Sequence, residues 1–599
     1  MSERRPDLAA LLPALFISLC AAVGLGLDSY PQYVIAVAII SMLVGIALVV
    51  LVGLARCITL AAGSIMAIGA YASTLAVARL GVPYLVTLAL ALLAGGAGGW
   101  LIAFPGTRFR GHNLAMVTLV FQSVCIILIR EATWLTGGAE GIHVPPPQVF
   151  GLAVTSDWSF LILIGGATAL MTLLVTIMVR GPFGKNLQAV ASNEIAAEAF
   201  GVGVRGYLTA AFVVSSAAVA FAGALLAPRV RILDPDSFGV LESIFMLAYP
   251  IVGGMHSVWG GLLGGGGLRI LPELLRPVAD YQELFFAALV ILVMMFFPGG
   301  LAELIRRGAG LLGPHRERRL KSVAPPRALL EPHAVPVESG HRENELLVVE
   351  CVDKHFEALH AVDAASLRVP AGAIHGLIGP NGAGKTSLFN IISGFLTADR
   401  GRVTLAGTSL LERRPRDRIG LGMTRTFQNV AIFGELSCLD NVIIGLGRNA
   451  VMHAVRVSLD HFADGADTQR ARQQALAALD SVGLGGHPRS RAGSLSLGDQ
   501  RRLEIARAIV SNPRLILLDE PVSGVADAEA EELRHLLLRI NAERGVAMLV
   551  VEHNIPFVAR LCRSLSVMGA GRVVAEGEPA HVISLPIVRQ LYFGEQVTA

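Results

Sequence analysis

The chain has 599 residues, of which 53% are hydrophobic and only 16% charged, and its formal net charge is +3. Such an apolar balance excludes a wholly soluble protein, and so small a net charge argues against nucleic acid as a partner. Six cysteines (Cys20, Cys57, Cys125, Cys351, Cys438 and Cys562) without a C-x-x-C pair argue against a disulfide framework or a zinc site.

Charge is unevenly placed. Lys, Arg, Asp and Glu are sparse across residues 8–300, whereas the remainder has an ordinary soluble composition. One membrane half and one soluble half follow from that split. The start, Met1-Ser2-Glu3-Arg4-Arg5 before an apolar run, imitates a signal peptide. Further apolar runs follow closely and no small-residue cleavage site stands out, so a first transmembrane helix is expected.

Runs long enough to cross about 30 Å of hydrocarbon occur near 8–27, 33–54, 57–78, 84–104, 113–129, 158–180, 207–228, 238–256, 257–272 and 281–298. About ten helices put both termini on one side. Arg4, Arg5, Arg56, Arg108, Arg110, Arg180, Lys185, Arg205, Arg306 and Arg307 then fall on that side, which the nucleotide need of the C-terminal half makes the cytosol. Arg79, Arg130, Arg229, Arg231 and Arg276 fall on the other, a modest agreement with the positive-inside rule. The long outer loop from Arg130 to Trp158, with Pro145-Pro146-Pro147, is polar and turn-rich, suited to an external partner. The inner loop 181–206 should hold a short amphipathic helix that starts at Asn193 and stops at Gly201, suited to docking on a soluble domain. Glycine runs such as Gly264-Gly265-Gly266-Gly267 read as close helix packing. Glu242 is the most pointed charge within a span, either lining a pathway or reaching water at the interface. Residues 303–344, basic and broken by Pro325-Pro326, Pro332 and Pro336, read as an extended linker near anionic lipid headgroups.

The soluble half begins at residue 345 and runs to 599, a three-layer α/β domain. Its central motif is Gly379-Pro380-Asn381-Gly382-Ala383-Gly384-Lys385-Thr386, a phosphate-binding loop between the strand around Ile374-His375-Gly376-Leu377-Ile378 and a helix opening with Ser387. Backbone N–H groups and the helix N-terminus would cradle the phosphates of ATP, Lys385 would reach the β- and γ-phosphates, and Thr386 would offer its hydroxyl to Mg²⁺. Leu515-Ile516-Leu517-Leu518-Asp519-Glu520 is an apolar strand ending in two carboxylates. Asp519 would hold Mg²⁺ through water, and Glu520 would polarise the water that attacks the γ-phosphate. Gln428 sits where an amide could ligate Mg²⁺ and position water, and His553 ends an apolar strand within reach of the γ-phosphate. Ser496 and Gly498, in Leu495-Ser496-Leu497-Gly498-Asp499-Gln500, open another helix fit for an anion.

Together, in that order, these motifs resemble the ATPase domain of ABC transporters over essentially all of 346–599. The resemblance implies that two such domains close head to tail, each signature helix completing the other's ATP site, and that Phe356 stacks on adenine. It also places the D-loop at Val522-Ser523-Gly524-Val525-Ala526-Asp527. Leu497 and Asp499 depart from the usual Leu-Ser-Gly-Gly-Gln, and Ala526 stands where Asp or Asn is common, so the site donated to the partner is expected to be the weaker. The membrane half resembles permease subunits of branched-chain amino acid ABC importers, in Leu114-Ala115-Met116-Val117-Thr118-Leu119, Trp134-Leu135-Thr136-Gly137-Gly138, Asn193-Glu194-Ile195-Ala196-Ala197-Glu198-Ala199 and Val252-Gly253-Gly254-Met255-His256. It departs from them near Thr59-Leu60-Ala61-Ala62, where a Gly-His pair is common.

The expectation is therefore a natural fusion. It joins a transmembrane permease domain (1–302), a linker (303–344) and an ABC ATP-binding domain (345–599), and sits in a prokaryotic plasma membrane with the ATPase in the cytosol. It would import amino acids, branched-chain first and otherwise urea, amides or small carboxylates, with a second permease and ATPase and an extracytoplasmic binding protein. An ABC exporter and a membrane-tethered regulatory ATPase are the rival readings.

Overall fold

The computed structural model describes residues 8–109, 111–149, 151–297, 299–303, 345–357, 359–447, 455–458 and 465–593. The expected linker lies outside the described residues except for Glu303, as do Arg4, Arg5, Arg110, Arg306 and Arg307 of the expected inner-face cations. Contacts divide the chain into two units. The first takes Met1–Ala191, Arg205–Arg318 and Val451–Gly465, and the second takes Ser192–Val204, Arg319–Ala450 and Ala466–Ala599.

Among the described residues of the first unit, seven helices are long and apolar enough to cross a membrane: Ser29–Leu54, Ala62–Leu80, Tyr84–Gly106, His112–Glu131, Asp157–Arg180, Val204–Val230 and Pro235–Gly253. Three further helices are shorter: Leu12–Leu25 and Gln282–Phe296, which are apolar, and the glycine-rich Val258–Leu274. Without a hydrophobic drive between helices in lipid, small residues set their approach. A Cβ added at Gly69 would stand 1.9 Å from the Ala220 carbonyl oxygen, and one at Gly223 would stand 2.0 Å from that of Met66. Helices Ala62–Leu80 and Val204–Val230 therefore touch backbone to backbone. Gly264, Gly265 and Gly266 are buried within Val258–Leu274.

Glu242 faces Arg269, with 3.7 Å between Oε1 and Nη1, so an internal ion pair accounts for that charge. The outer loop is stapled down. Ile142–His143 pairs antiparallel with Ile232–Leu233, Arg79 donates to the carbonyls of Trp134 and Leu135, and Arg130 pairs with Asp236.

The second unit is layered around a six-stranded sheet. Its order is Met423–Arg425, Leu515–Asp519, Ala547–Val551, Ile374–Ile378, Ser564–Gly569 and Arg572–Gly577, parallel except for the last pair. The central strands are apolar throughout, and their period of two divides them between layers. Ile516, Leu518, Met548 and Val550 join a core with helices Leu497–Ile509 and Asp527–Arg544. Leu515, Leu517, Ala547 and Leu549 join a second core with helix Lys385–Ser393 and the antiparallel sheet of Glu345–Phe356, Leu359–Pro370, Arg400–Leu405 and Thr408–Ser409.

Candidate nucleotide site

Four neighbouring strands run parallel, so their carboxyl ends share one edge, the usual place for a ligand in such a sheet. From those ends emerge the loop after Ile378, the Thr426–Gln428 turn, the Asp519-Glu520 pair and Glu552-His553. Sequence order scatters these residues over more than a hundred positions; strand order gathers them.

The phosphate loop closes on itself. Gly384 has φ +96°, and a Cβ there would stand 2.3 Å from the Ala361 carbonyl oxygen, so only glycine fits. Helix Lys385–Ser393 starts at once, which leaves the first-turn N–H groups of Lys385, Thr386 and Ser387 facing the loop formed by Gly379, Pro380, Asn381, Gly382 and Ala383. Lys385 Nζ donates to the carbonyls of Gly379 (2.7 Å) and Pro380 (2.9 Å). Burial lowers its pKa while the Glu520 charge opposes that shift. An anion bound in the loop would give this ammonium a charged acceptor in place of two neutral ones.

Three of the expected residues meet at one carboxylate. Glu520 Oε2 accepts from Gln428 Nε2 at 3.0 Å and lies 3.7 Å from His553 Nδ1. Glu520 sits at φ +46°, a strained conformation for a residue with a side chain, and its N–H donates to the Val551 carbonyl at 2.8 Å. The imidazole of His553 is largely exposed, open to a ligand.

Asp519 is buried and paired with Arg425, Oδ2 to Nη2 at 2.9 Å. Arg425 Nη1 donates to Asn390 Oδ1 (2.7 Å) and Ser393 Oγ (2.6 Å), and its guanidinium lies over the rings of Phe389, Phe395 and Phe427. Burial pushes the Asp519 carboxyl up, and Arg425 restrains the rise. The Thr386 hydroxyl, the Asp519 carboxylate and the Gln428 amide oxygen form an all-oxygen donor set, the kind that suits Mg²⁺.

The remaining candidates stand apart. Ser496 caps helix Leu497–Ile509, its Oγ accepting from Asp499 N at 3.2 Å. Among the described residues, no hydrogen bond or ion pair joins Ser496 or Gly498 to the Gly379–Ser387 segment. Leu497 is exposed, and Asp499 lies in the helix's first turn. Phe356 is half-exposed at the turn between two strands, with Lys354 Nζ 5.6 Å above its ring. Ala526 occupies the N-cap of helix Asp527–Arg544, where it offers no side-chain acceptor.

Four supporting residues escaped the sequence reading. Arg425 is one, a cation inside an apolar strand end. Glu552 is another: buried, it accepts from the N–H groups of Val522, His553 and Asn554, tying the D-loop to the histidine turn. Arg501 and Glu504, three apart on one helix face, are both buried. The legible signal was a charged residue amid apolar neighbours, which costs free energy unless it is paired.

Both halves of the chain are similar to known proteins. Residues 30–297 match the family described as branched-chain amino acid transport system / permease component, and residues 362–523 match the ABC transporter family. The high-affinity branched-chain amino acid transport ATP-binding protein BraF of Pseudomonas aeruginosa is 32% identical over 251 residues, 42% of this chain and 98% of the relative. The chain belongs to the ABC transporter family. It carries a permease of the branched-chain type and an ABC ATPase in one polypeptide. The ATP-binding protein LivG of Salmonella typhimurium is 34% identical over 251 residues, again 42% of this chain and 98% of the relative. The lipopolysaccharide export system ATP-binding protein LptB of Acidithiobacillus ferridurans is 32% identical over 253 residues, with the same two coverages. This ABC transporter is thus an ATP-hydrolysing transport enzyme, a multi-pass protein of the plasma (inner) membrane with its ATPase in the cytosol.

Proposed function

We propose that the protein imports amino acids, of the branched-chain type first, and that ten membrane helices within residues 1–302 form the path. The shorter helices Leu12–Leu25, Val258–Leu274 and Gln282–Phe296 complete that number. The 303–344 segment links the path to an ATPase domain at 345–599. An external binding protein delivers the substrate, and a second permease–ATPase pair, identical or related, completes the assembly.

In this reading the N–H groups of Asn381 to Thr386, with Lys385, bind the β- and γ-phosphates, and Phe356 stacks on adenine. Magnesium, held by Thr386, Asp519 and Gln428, would supply charge neutralisation on the phosphates. Glu520 draws the proton from the attacking water, while Gln428 and His553 hold its carboxylate in place. Ser496 and Gly498 lie apart from the phosphate loop of their own chain, which supports their use in the partner's ATP site. Closure of two such domains on ATP would move the 192–204 segments and switch the path between its two faces.

The observation that carries the reading is the convergence of Gln428 and His553 on Glu520, in a chain whose membrane half is of the permease type. A relative of the ATPase half is named for export. Direction is therefore argued from the permease half, whose type points inward. Urea, amides and small carboxylates are competitors within the same importer reading.

Leucine uptake into vesicles holding the purified assembly tests it. Glu520→Gln should retain ATP binding and lose about 10²–10⁴-fold in hydrolysis, the usual loss when a general base is removed, and uptake should fall in step. Uptake that persists in Lys385→Ala after hydrolysis is abolished would refute the mechanism. ATPase activity indifferent to the external binding protein would favour export.

A further inference from the structure

Arg507 is fully buried, and among the described residues no hydrogen-bond partner reaches its Nε, Nη1 or Nη2. Its guanidinium is held between two aromatic rings, 4.4 Å from the centroid of Phe200 and 4.7 Å from that of Phe433. Among the described residues the carboxylate facing it is that of Glu504, with Nη2 3.8 Å from Oε1. A buried cation whose donors are unmet is costly, and stacking recovers only part of that cost. Packing alone would be served better by an apolar side chain of the same size.

Glu504 connects this clamp to the nucleotide site. The same Oε1 accepts from Phe427 N at 3.1 Å, and Oε2 lies 3.3 Å from Arg501 Nη1. Arg501 in turn donates to the carbonyls of Phe427 (2.8 Å) and Gln428 (2.5 Å). The Gln428 side chain is the one that holds Glu520. Arg501, Glu504 and Arg507 recur every three residues, so one face of helix Leu497–Ile509 carries the whole line.

At its other end lies Phe200, directly after the helix Glu194–Ala199, which Asn193 caps through Ala196 N at 2.9 Å. This short helix packs against Pro415–Arg418 of the same unit, and Phe200 and Val202 are fully buried. Burial on this scale makes the segment a seated element rather than a loose loop.

We propose that Arg507 and Glu504 are positioning residues that make the 192–204 segment and the Phe427–Gln428 turn move as one body. Displacing Gln428 toward a bound nucleotide shifts the three backbone groups that Arg501 and Glu504 hold. Glu504 then drags or releases the guanidinium seated on Phe200. The device is electrostatic at the nucleotide end and aromatic at the other. The proposal rests on the reading of 192–204 as the segment that transmits ATP binding.

Hydrogen exchange of the full-length protein with its co-purified subunits tests it, with and without ATP-Mg²⁺ in a Glu520→Gln background. ATP should change exchange at both 424–430 and 194–203. Phe200→Leu keeps an apolar side chain but removes the ring, and the ATP response at 194–203 should shrink about thirtyfold, the loss expected of one buried cation–π contact. The response at 424–430 and the Kd for ATP should stay within twofold. Phe200→Tyr, which keeps a ring, should retain most of the response. Glu504→Gln, which keeps an acceptor for Phe427 N but loses the charge, should weaken it.

A response at 194–203 that survives both Phe200→Leu and Glu504→Gln unchanged would overturn the proposal alone. A wild-type segment that ignores ATP would overturn it together with the transmission reading. Arg507→Met is the direct variant, and Phe200→Leu decides the matter if that protein does not fold.

Discussion

Removing the cation beside Asp519 should expose how the nucleotide site is held together. In Arg425→Met the aliphatic stem is roughly kept, but Asp519 loses the partner at 2.9 Å, and Asn390 and Ser393 lose theirs. Breaking a buried ion pair on one side costs about 3–5 kcal/mol, because the remaining charge is left uncompensated. For a unit of roughly 250 residues that is a fall in Tm of about 6–20 °C. The deficit should depend on pH. Burial already raises the Asp519 carboxyl above its ordinary value, so the folded state holds that proton more tightly than the unfolded chain does. Stability from this group is therefore greatest at low pH and is lost as pH rises through the folded pKa. Without Arg425 that pKa climbs further, and the deficit should be larger at pH 8 than at pH 5. The assay is thermal unfolding of the purified, nucleotide-free chain at both pH values, with ATP turnover measured alongside. Arg425→Met/Asp519→Asn, which removes both charges, should recover much of the stability and none of the turnover. A deficit that ignores pH, or a double variant no more stable than the single one, would refute the argument.

Three further outcomes are expected. Gly69→Ala, whose Cβ would stand 1.9 Å from the Ala220 carbonyl, should destabilise the membrane unit by about 1–3 kcal/mol. Gly267→Ala, with nothing within 4 Å, should leave the melting of the solubilised protein unchanged. His375 is buried, with its ring nitrogens on Ser564 Oγ (2.7 Å) and Ser566 Oγ (2.9 Å), and burial depresses its pKa from 6.5 to about 4. Its neutral form is the folded one, so its contribution is complete above pH 6.5 and is lost as pH falls toward 4, about 3 kcal/mol in all. The acid unfolding curve of His375→Gln should lack that component. Ser496→Ala should cost about 0.5–2 kcal/mol through the lost helix cap. Ser496→Asp should keep the cap yet raise the KM for ATP, since it places a carboxylate where Ser496 is proposed to meet phosphate; an unchanged KM would remove Ser496 from the ATP site.

Several parts of the molecule were legible because the chemistry is local. A strand, a glycine turn and a helix N-terminus occupy consecutive residues, so the loop from Gly379 to Thr386 announces itself before any folding is considered. Asn193 could be read as a cap because an N-cap needs only a side-chain oxygen three residues before the N–H it accepts from. Spans can be read from apolar length, yet here length separates only seven helices clearly. The other three are shorter, and length alone does not carry them across a membrane. Glu242 shows the opposite limit. A carboxylate within a span raised the question of a pathway, and Arg269, 27 positions on in sequence, answered it with an ion pair.

By itself the sequence determined that the chain has an apolar half and an ABC ATPase half, and it named candidate residues for binding the phosphates. These follow from composition and from contacts between near neighbours. Only the tertiary structure decided what surrounds those residues. Arg425 became the counter-ion of Asp519, Glu552 the tie between two turns, and Arg507 a cation clamped between Phe200 and Phe433. Each of those roles joins residues distant in sequence. A buried charge shows only that some partner must exist, and the sheet order and helix packing choose which one it is.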